Sequence, residues 1–318
     1  MKTFIRMVEV WTPTGDGSGL ALSSGLFPSA PAFEAITREM VFACGEGLPG
    51  RAWEKGHPLM MRELVGSYFK RAAAARAIDL TCAVACPVFQ NGELRCVVVM
   101  LMGGMASSIG SVELWRHDSR LSSDMTLVDG FFGSHPRSHD LEALTLDGWL
   151  PRGAGAPGLA WQKSETICIA DIAQSRHFLR TEAALKMGIG RALVTPCTVK
   201  GHTNWVLGLL SAPAAPIALR VEVWRQHADL PDTLERTAGF CEASGALACG
   251  DEGPKRPIAN AGPIGRTWQT AVAEAEAQLN DWNSPAELTR LRGAGITSVL
   301  VWPVVVDDQV QEVVALYF

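Results

Sequence analysis

The sequence predicts three tandem copies of one small domain that mixes β-strands with short helices, and three repeated patterns carry that prediction. A tetrapeptide recurs as Val8-Glu9-Val10-Trp11, Val112-Glu113-Leu114-Trp115 and Val221-Glu222-Val223-Trp224, at steps of 104 and 109 residues. A Gly-x-x-Gly-x-x-Trp motif keeps identical internal spacing at Gly47, Gly50 and Trp53, at Gly155, Gly158 and Trp161, and at Gly262, Gly265 and Trp268. A proline lies 34 or 35 residues beyond each motif tryptophan, in Cys86-Pro87-Val88, Thr195-Pro196-Cys197 and Trp302-Pro303-Val304. A period near 106 residues is too long for a solenoid unit, so the copies are domains, spanning 1–106, 107–214 and 215–318.

Each copy opens on a strand. With a period of two, the Glu and Trp of the tetrapeptide share one face and the aliphatics flanking the Glu share the other, so the sheet must be covered on both sides. The Trp face is the expected contact with a neighbouring domain. After the strand come Gly25-Leu26-Phe27, Gly130-Phe131-Phe132 and Gly239-Phe240-Cys241, and then a polar connection. The Gly-x-x-Gly-x-x-Trp segment reads as a structural turn whose tryptophan plugs the core. A short helix follows in each copy, over 68–77, 177–187 and 285–292. The last has the best start signal, with Ser284 as cap, Pro285 at the first helical position and Glu287 three residues on. The segment Thr270 to Leu279 is expected to be a strand on the repeat template, against its Ala- and Glu-rich composition. A hairpin closes each copy, turning at Asn91-Gly92, Lys200-Gly201 and Asp307-Asp308.

The segment Gly45-Glu46-Gly47-Leu48-Pro49-Gly50-Arg51-Ala52-Trp53 and the hairpin around Pro87 to Gly92 resemble the central motif and closing hairpin of GAF domains. Repeat two adds Ala156-Pro157-Gly158, Asp171-Ile172 and Gly188-Ile189, and repeat three Gly265 and Gly295-Ile296; repeat one has Glu63-Leu64 where the family carries an Asp. The resemblance implies α+β domains, each a mainly antiparallel sheet of five or six strands with short helices, and a small-molecule pocket between sheet and connecting loops. The fold hosts sensors, redox enzymes and dimerisation modules alike, so it does not decide function. The long helices that usually flank such domains are not expected here, and neither is an output segment after the third copy. Any signal is therefore expected to pass to a separate output protein.

Composition narrows the partners. Hydrophobic residues make up 47% and the net charge is -5 with no basic stripe, which argues for a packed core and against nucleic acid. The most apolar run, Cys96 to Met102, is too short to span a bilayer and reads as a buried strand. The N-terminus lacks a signal-peptide pattern, and the eight scattered cysteines read as reduced thiols in the cytoplasm.

Candidate chemistry is sparse. One GAF-like family reduces free methionine sulfoxide with a cysteine pair, but Pro49 and Arg76-Ala77 stand where those cysteines belong. Cys82 and Cys86 lie about 13 Å apart along one strand face. The Asn91-Gly92 register sets Cys96 opposite Pro87 and Cys86 opposite Val97, so the cysteines read as core packing. His135 and His139 have a ligand-like spacing, yet Pro136 breaks any helix that would align them, so they read as a loop and no metal site is expected. Methionines 60, 61, 100, 102 and 105 read as core filler. No cofactor is implied. In repeat two, Asp171, Arg176 and His177 lie where connecting segments border the cavity, and are the candidate ligand-binding residues. The expectation is a non-enzymatic sensory or regulatory module of GAF type that binds a small molecule or a protein partner. A thiol-based reductase and a ligandless scaffold are the alternatives.

Overall fold

The computed structural model describes residues 3–103, 109–133, 138–199, 201, 203–279 and 284–318. The first unit runs β1 (Ile5–Pro13), β2 (Leu20–Leu26), α1 (Pro31–Arg38), β3 (Val41–Phe42), α2 (Gly47–Lys55), β4 (Leu59–Met61), α3 (Ala72–Ala77), β5 (Leu80–Gln90) and β6 (Glu93–Gly103). The second repeats it as β7 (Gly110–His117), β8 (Met125–Phe131), α4 (Ser138–Leu146), β9 (Trp149–Leu150), α5 (Gly155–Lys163), β10 (Ile167–Ile169), α6 (Thr181–Met187), β11 (Arg191–Cys197) and β12 (Asn204–Ser211). The third runs β13 (Arg220–His227), β14 (Leu230–Cys241), β15 (Gly245–Ala246), β16 (Lys255–Pro257), α7 (Pro263–Thr270), β17 (Glu274–Glu276), α8 (Pro285–Gly293), β18 (Val299–Val306) and β19 (Gln309–Tyr317). The sheets order as β3-β2-β1-β6-β5-β4, β9-β8-β7-β12-β11-β10 and β15-β14-β13-β19-β18-β17, with β16 beside β14. All neighbours in them are antiparallel, and the first strand of each unit pairs with its last.

The helices at 72–77, 181–187 and 285–293 fall where the repeat places them, and Ser284 Oγ accepts the Glu287 amide at 3.2 Å. The five helices α1, α2, α4, α5 and α7 lie in the stretches read as connection and turn. They are eight or nine residues long, too short to be stable alone, and tertiary packing holds them. His139 accordingly sits in the first turn of α4 rather than in a loop, while His135, Lys200 and Met105 lie outside the described residues. Thr270 closes α7, and the expected strand is shortened to β17.

The Asn91-Gly92 and Asp307-Asp308 turns have all four residues at positive φ, the conformation that matches hairpin twist. A bulge between Val88 and Phe89 then moves the first hairpin one step from the expected register. Cys96 faces Val88, Pro87 faces Val97 and Cys86 faces Val98.

The three sheets turn one face inward onto a single shared core. Val8 and Val10, Val112 and Leu114, and Val221 meet there with Val98, Met100, Leu209, Trp302 and Leu316. The tryptophans of the tetrapeptide point the other way, under each unit's own helices: Trp11, Trp115 and Trp224 belong to three separate outer cores. The Trp face is therefore not the inter-unit contact. Its glutamate needs a buried cation, and in the first two units residues just before a helix, Arg71 and Arg180, supply it.

The units close a ring, each touching the next through equivalent positions. The residue two beyond the left-handed cap of α2, α5 or α7 meets the residue just before the proline's partner on the next unit's last strand. Thr166 N donates to Glu312 at 2.5 Å, and Ala273 N donates to Cys96 Sγ at 3.4 Å. At the third seam the position is Pro58, which has no N–H to donate, and neighbouring His57 stacks on Trp205 at 4.4 Å instead. Arg62–Asp129 and Arg191–Glu242 ion pairs, and Ala275 N to Ser24 Oγ at 3.0 Å, complete the three seams.

A hollow second unit as the candidate ligand site

Each outer core is organised around the tetrapeptide glutamate. Glu9, Glu113 and Glu222 are at most 1% exposed, and the indole N–H of Trp11, Trp115 or Trp224 donates to each at 2.9–3.0 Å. A buried carboxylate needs a cation. In the first unit Arg71, just before α3, supplies it; Arg71 Nη2 donates to Glu9 at 2.9 Å and Nη1 to Thr37 of α1 at 2.6 Å. Arg180, just before α6, repeats this with Glu113 at 2.8 Å to both oxygens and with Thr145 of α4. The third unit has no helix matching α1, and its cations come from strands: Arg220 Nε and Arg236 Nη1 reach Glu222 at 2.8 and 2.6 Å, and Tyr317 donates at 2.8 Å. Burial by itself would raise the Glu222 carboxyl, but the two guanidiniums hold it below the ordinary glutamate value. Burial and that same carboxylate push the Tyr317 phenol well up.

The Gly-x-x-Gly-x-x-Trp motif forms the first turns of α2, α5 and α7. Its first glycine has φ near +60° in all three copies. The second lets the helix lie on a backbone carbonyl: a Cβ at Gly50, Gly158 or Gly265 would stand 2.1, 2.4 or 2.0 Å from the oxygen of Ala43, Pro151 or Ile258. Trp53, Trp161 and Trp268 are half-buried at the rim of their cores rather than plugs within them.

Between sheet and helices the first two units differ. In the first, Phe42 on β3 fills the space over Trp11, edge-on at 4.9 Å, with its ring against Gly47, and the Lys70–Glu46 ion pair at 2.6 Å lies over the loops outside. In the second, Leu150 stands in place of Phe42 and Leu179 in place of Lys70. A cavity of about 200 Å³ remains, walled by Trp115, Leu144, Leu150, Pro157, Phe178 and Leu179, with Arg180 as its charged group. Because Arg180 is already neutralised by Glu113, the cavity is apolar and carries little net charge. Leu144 and Leu179 stay 54% and 63% exposed at its mouth.

Asp171, Arg176 and His177 lie exposed on the loop that leads to this wall. Asp171 Oδ1 accepts the Ala173 amide at 2.9 Å and Ser175 Oγ accepts the His177 amide at 3.2 Å. The wall itself starts with the next three residues, Phe178, Leu179 and Arg180. The signal for Arg180 was present in the sequence, as an arginine preceding the short helix in both of the first two repeats. A second space, of about 470 Å³, opens where the hairpin tips of all three units converge, with Phe89, Cys197, Trp205 and Asp307 among its walls. Among the described residues no cluster of His, Cys, Asp and Glu could hold a metal, and no helix is long and apolar enough to cross a membrane.

A six-stranded antiparallel order recurring three times, a glycine-led helix over one face and a closing hairpin complete the pattern that the motif implied. All three units share this one α+β fold. No family model matches the sequence, and no curated protein matches it. Solved structures similar to it include the free methionine-R-sulfoxide reductase of Neisseria meningitidis in complex with its substrate, at 21% identity and TM-score 0.24. Others are the A. aeolicus NLH2 GAF domain in an inactive state, at 17% and 0.26, and the Staphylococcus aureus NreA protein mutated in its nitrate-binding site, at 15% and 0.27. These matches cover 32%, 32% and 35% of this chain, about one of its three units, and 51%, 59% and 79% of the other chains. The chain thus spans little more than half the length of the first two.

Proposed function

We propose that the protein is a non-enzymatic regulatory module of GAF type whose second unit binds a small, largely apolar molecule and reports it to a separate output protein. One observation carries this reading: the first unit closes its sheet–helix space with Phe42, whereas the second leaves it open behind Leu150. A cavity of about 200 Å³ is smaller than drug-sized sites, so the ligand has few heavy atoms. It carries no net charge, since the charged group in the wall, Arg180, is already paired with Glu113 and offers no free counter-charge. Asp171, Arg176 and His177 form the polar approach along the loop that enters the wall. NreA, whose nitrate-binding site is mutated in one similar structure, is an example of a small ligand on a related fold. The eight free thiols suit the cytoplasm. In this reading the domains keep the boundaries 1–106, 107–214 and 215–318, and the first and third serve as scaffold.

The test is a thermal-shift screen of small neutral metabolites against the wild type and L150F. A ligand at 100 times its Kd adds about 2.7 kcal/mol to stability. The expected result is a shift that L150F removes. A hit that shifts both proteins equally, or no hit across the screen, counts against the second unit as a ligand site.

A further inference from the structure

Five of the eight glutamines of the chain line one cleft. Gln90 ends β5 of the first unit, while Gln226 on β13, Gln269 on α7, and Gln309 and Gln311 on β19 come from the third. Trp268, beside Gln269, is part of the same wall. The cleft has a volume of about 1090 Å³, at the top of the range for small-molecule sites, and shares no residue with the cavity of the second unit.

The third unit is neutral here where the first is charged. In the repeat, Gln269 corresponds to Glu54, one step after the motif tryptophan, and Gln309 and Gln311 correspond to Glu93 and Arg95, one and three steps after the hairpin turn. Arg225 lines the cleft but is engaged, donating to Glu312 at 2.8 Å and to Glu165 at 2.7 Å, and so offers no free charge. Asp232, the other charged lining residue, is exposed, where water and salt screen it. Gln226 donates to the Pro231 carbonyl and Gln90 to the Asp308 carbonyl at 3.3 Å, which fixes those two amides. The side-chain amides of exposed Gln269, Gln309 and Gln311 and the indole N–H of Trp268 bond to no other described residue. In the second unit His117 stacks on the corresponding Trp161 at 4.0 Å, whereas no ring or guanidinium of the described residues covers Trp268.

We propose that this cleft binds a neutral oligosaccharide. The apolar face of one sugar ring lies on the Trp268 indole, and its hydroxyls, which both donate and accept as amides do, exchange hydrogen bonds with Gln269, Gln309 and Gln311. Other ligand classes fit the wall less well. A carboxylate or an ammonium would give up its water for amides that carry no counter-charge, and a purely apolar ligand would strip water from the amides without replacing their hydrogen bonds. The two units that serve as scaffold for the second unit's cavity thus carry a site of their own, which does not depend on that cavity.

Calorimetric titration and saturation-transfer NMR on the full-length protein test this, with maltotriose, cellotriose and xylotriose as neutral probes and trigalacturonate and the glucosamine trimer as charged ones. At least one neutral trisaccharide should bind, and more tightly than either charged trimer. Q269A/Q311A, altering two exposed residues, should weaken it about tenfold, the loss expected for one or two hydrogen bonds. W268L should abolish saturation transfer to the sugar; should that variant fail to fold, the double variant carries the test. L150F, which acts only on the second unit's cavity, should leave the affinity unchanged. No binding by any neutral trisaccharide, tighter binding of a charged trimer, an affinity unchanged in Q269A/Q311A, or loss of binding in L150F overturns the proposal.

Discussion

Phe42 and Leu150 hold the same place in the first and second units, the inner residue of a two-residue edge strand, paired with Leu20 and Met125 respectively. The difference between a ring and an isobutyl group decides which unit is hollow. Exchanging the two residues should exchange that property. F42L should open a cavity over Trp11 and cost on the order of 1–3 kcal/mol, whereas L150F should fill space that already exists and cost less. Urea denaturation of the two variants checks the asymmetry, and equal losses would show that the second unit has no usable room.

The buried ion pairs lead to a second expectation. Arg71 and Glu9 are both almost fully buried, and Arg71 Nε has no partner, so the pair is held by geometry without excess satisfaction. R71M should destabilise the protein by about 3–5 kcal/mol, since it leaves the Glu9 carboxylate without a counter-charge. Removing both charges in E9L/R71M should recover much of that loss. A double-mutant cycle by chemical denaturation measures the coupling, and a purely additive result would mean that the pair contributes only packing.

Acid sensitivity should track Glu222. Its carboxyl is held low in the folded state by Arg220 and Arg236 against the cost of burial. A lowered folded value means that its stabilisation is complete above the unfolded glutamate value of about 4.3 and fades as the pH falls through the folded one. E222Q should be less stable than wild type at neutral pH, and its thermal midpoint should fall less steeply between pH 5 and about 3. Parallel midpoint curves for the two proteins would remove Glu222 as a source of acid sensitivity.

The second motif glycines should be intolerant of any side chain. A methyl group at Gly50, Gly158 or Gly265 would overlap a main-chain oxygen that cannot swing aside, unlike the end of a side chain. Each alanine variant should lose about 2–4 kcal/mol. At Gly92, where open space surrounds the missing Cβ, the loss should reflect only its positive φ and be nearer 1 kcal/mol. Thermal midpoints of the four variants give the comparison.

How much of this was legible follows from what each signal encodes. The repeat fixed the number of units, the hairpins and the three helices because turn residues and caps act locally, as at Asn91-Gly92 and Ser284. The direction of the tryptophan face was not legible: a strand with apolar groups on both faces cannot say which side meets a neighbour, and the Arg71–Glu9 pair that decides it spans 62 positions. The site followed the same logic. The loop of Asp171 to His177 leads to the cavity wall, but Leu150 becomes informative only when laid over Phe42, and that overlay requires knowing that both face the same buried indole.

The shared core makes a last prediction about independence. A fragment of residues 1–106 would carry an intact outer core under its helices, yet Val8, Val10, Val84, Val98 and Met100 on its other face would lose the neighbours that cover them. A continuous apolar sheet face of that kind does not stay in water uncovered. Each seam is also asymmetric, one unit offering a loop and the next a strand, so copies of a single unit can cover each other by repeating the same head-to-tail contact. The isolated fragment should therefore self-associate, while the full chain, its ring already closed, should not do so through these faces. Light scattering on both checks this. A monomeric fragment 1–106 that unfolds cooperatively on its own would show that the inner faces contribute little, and would return the three units to independent domains on a common chain.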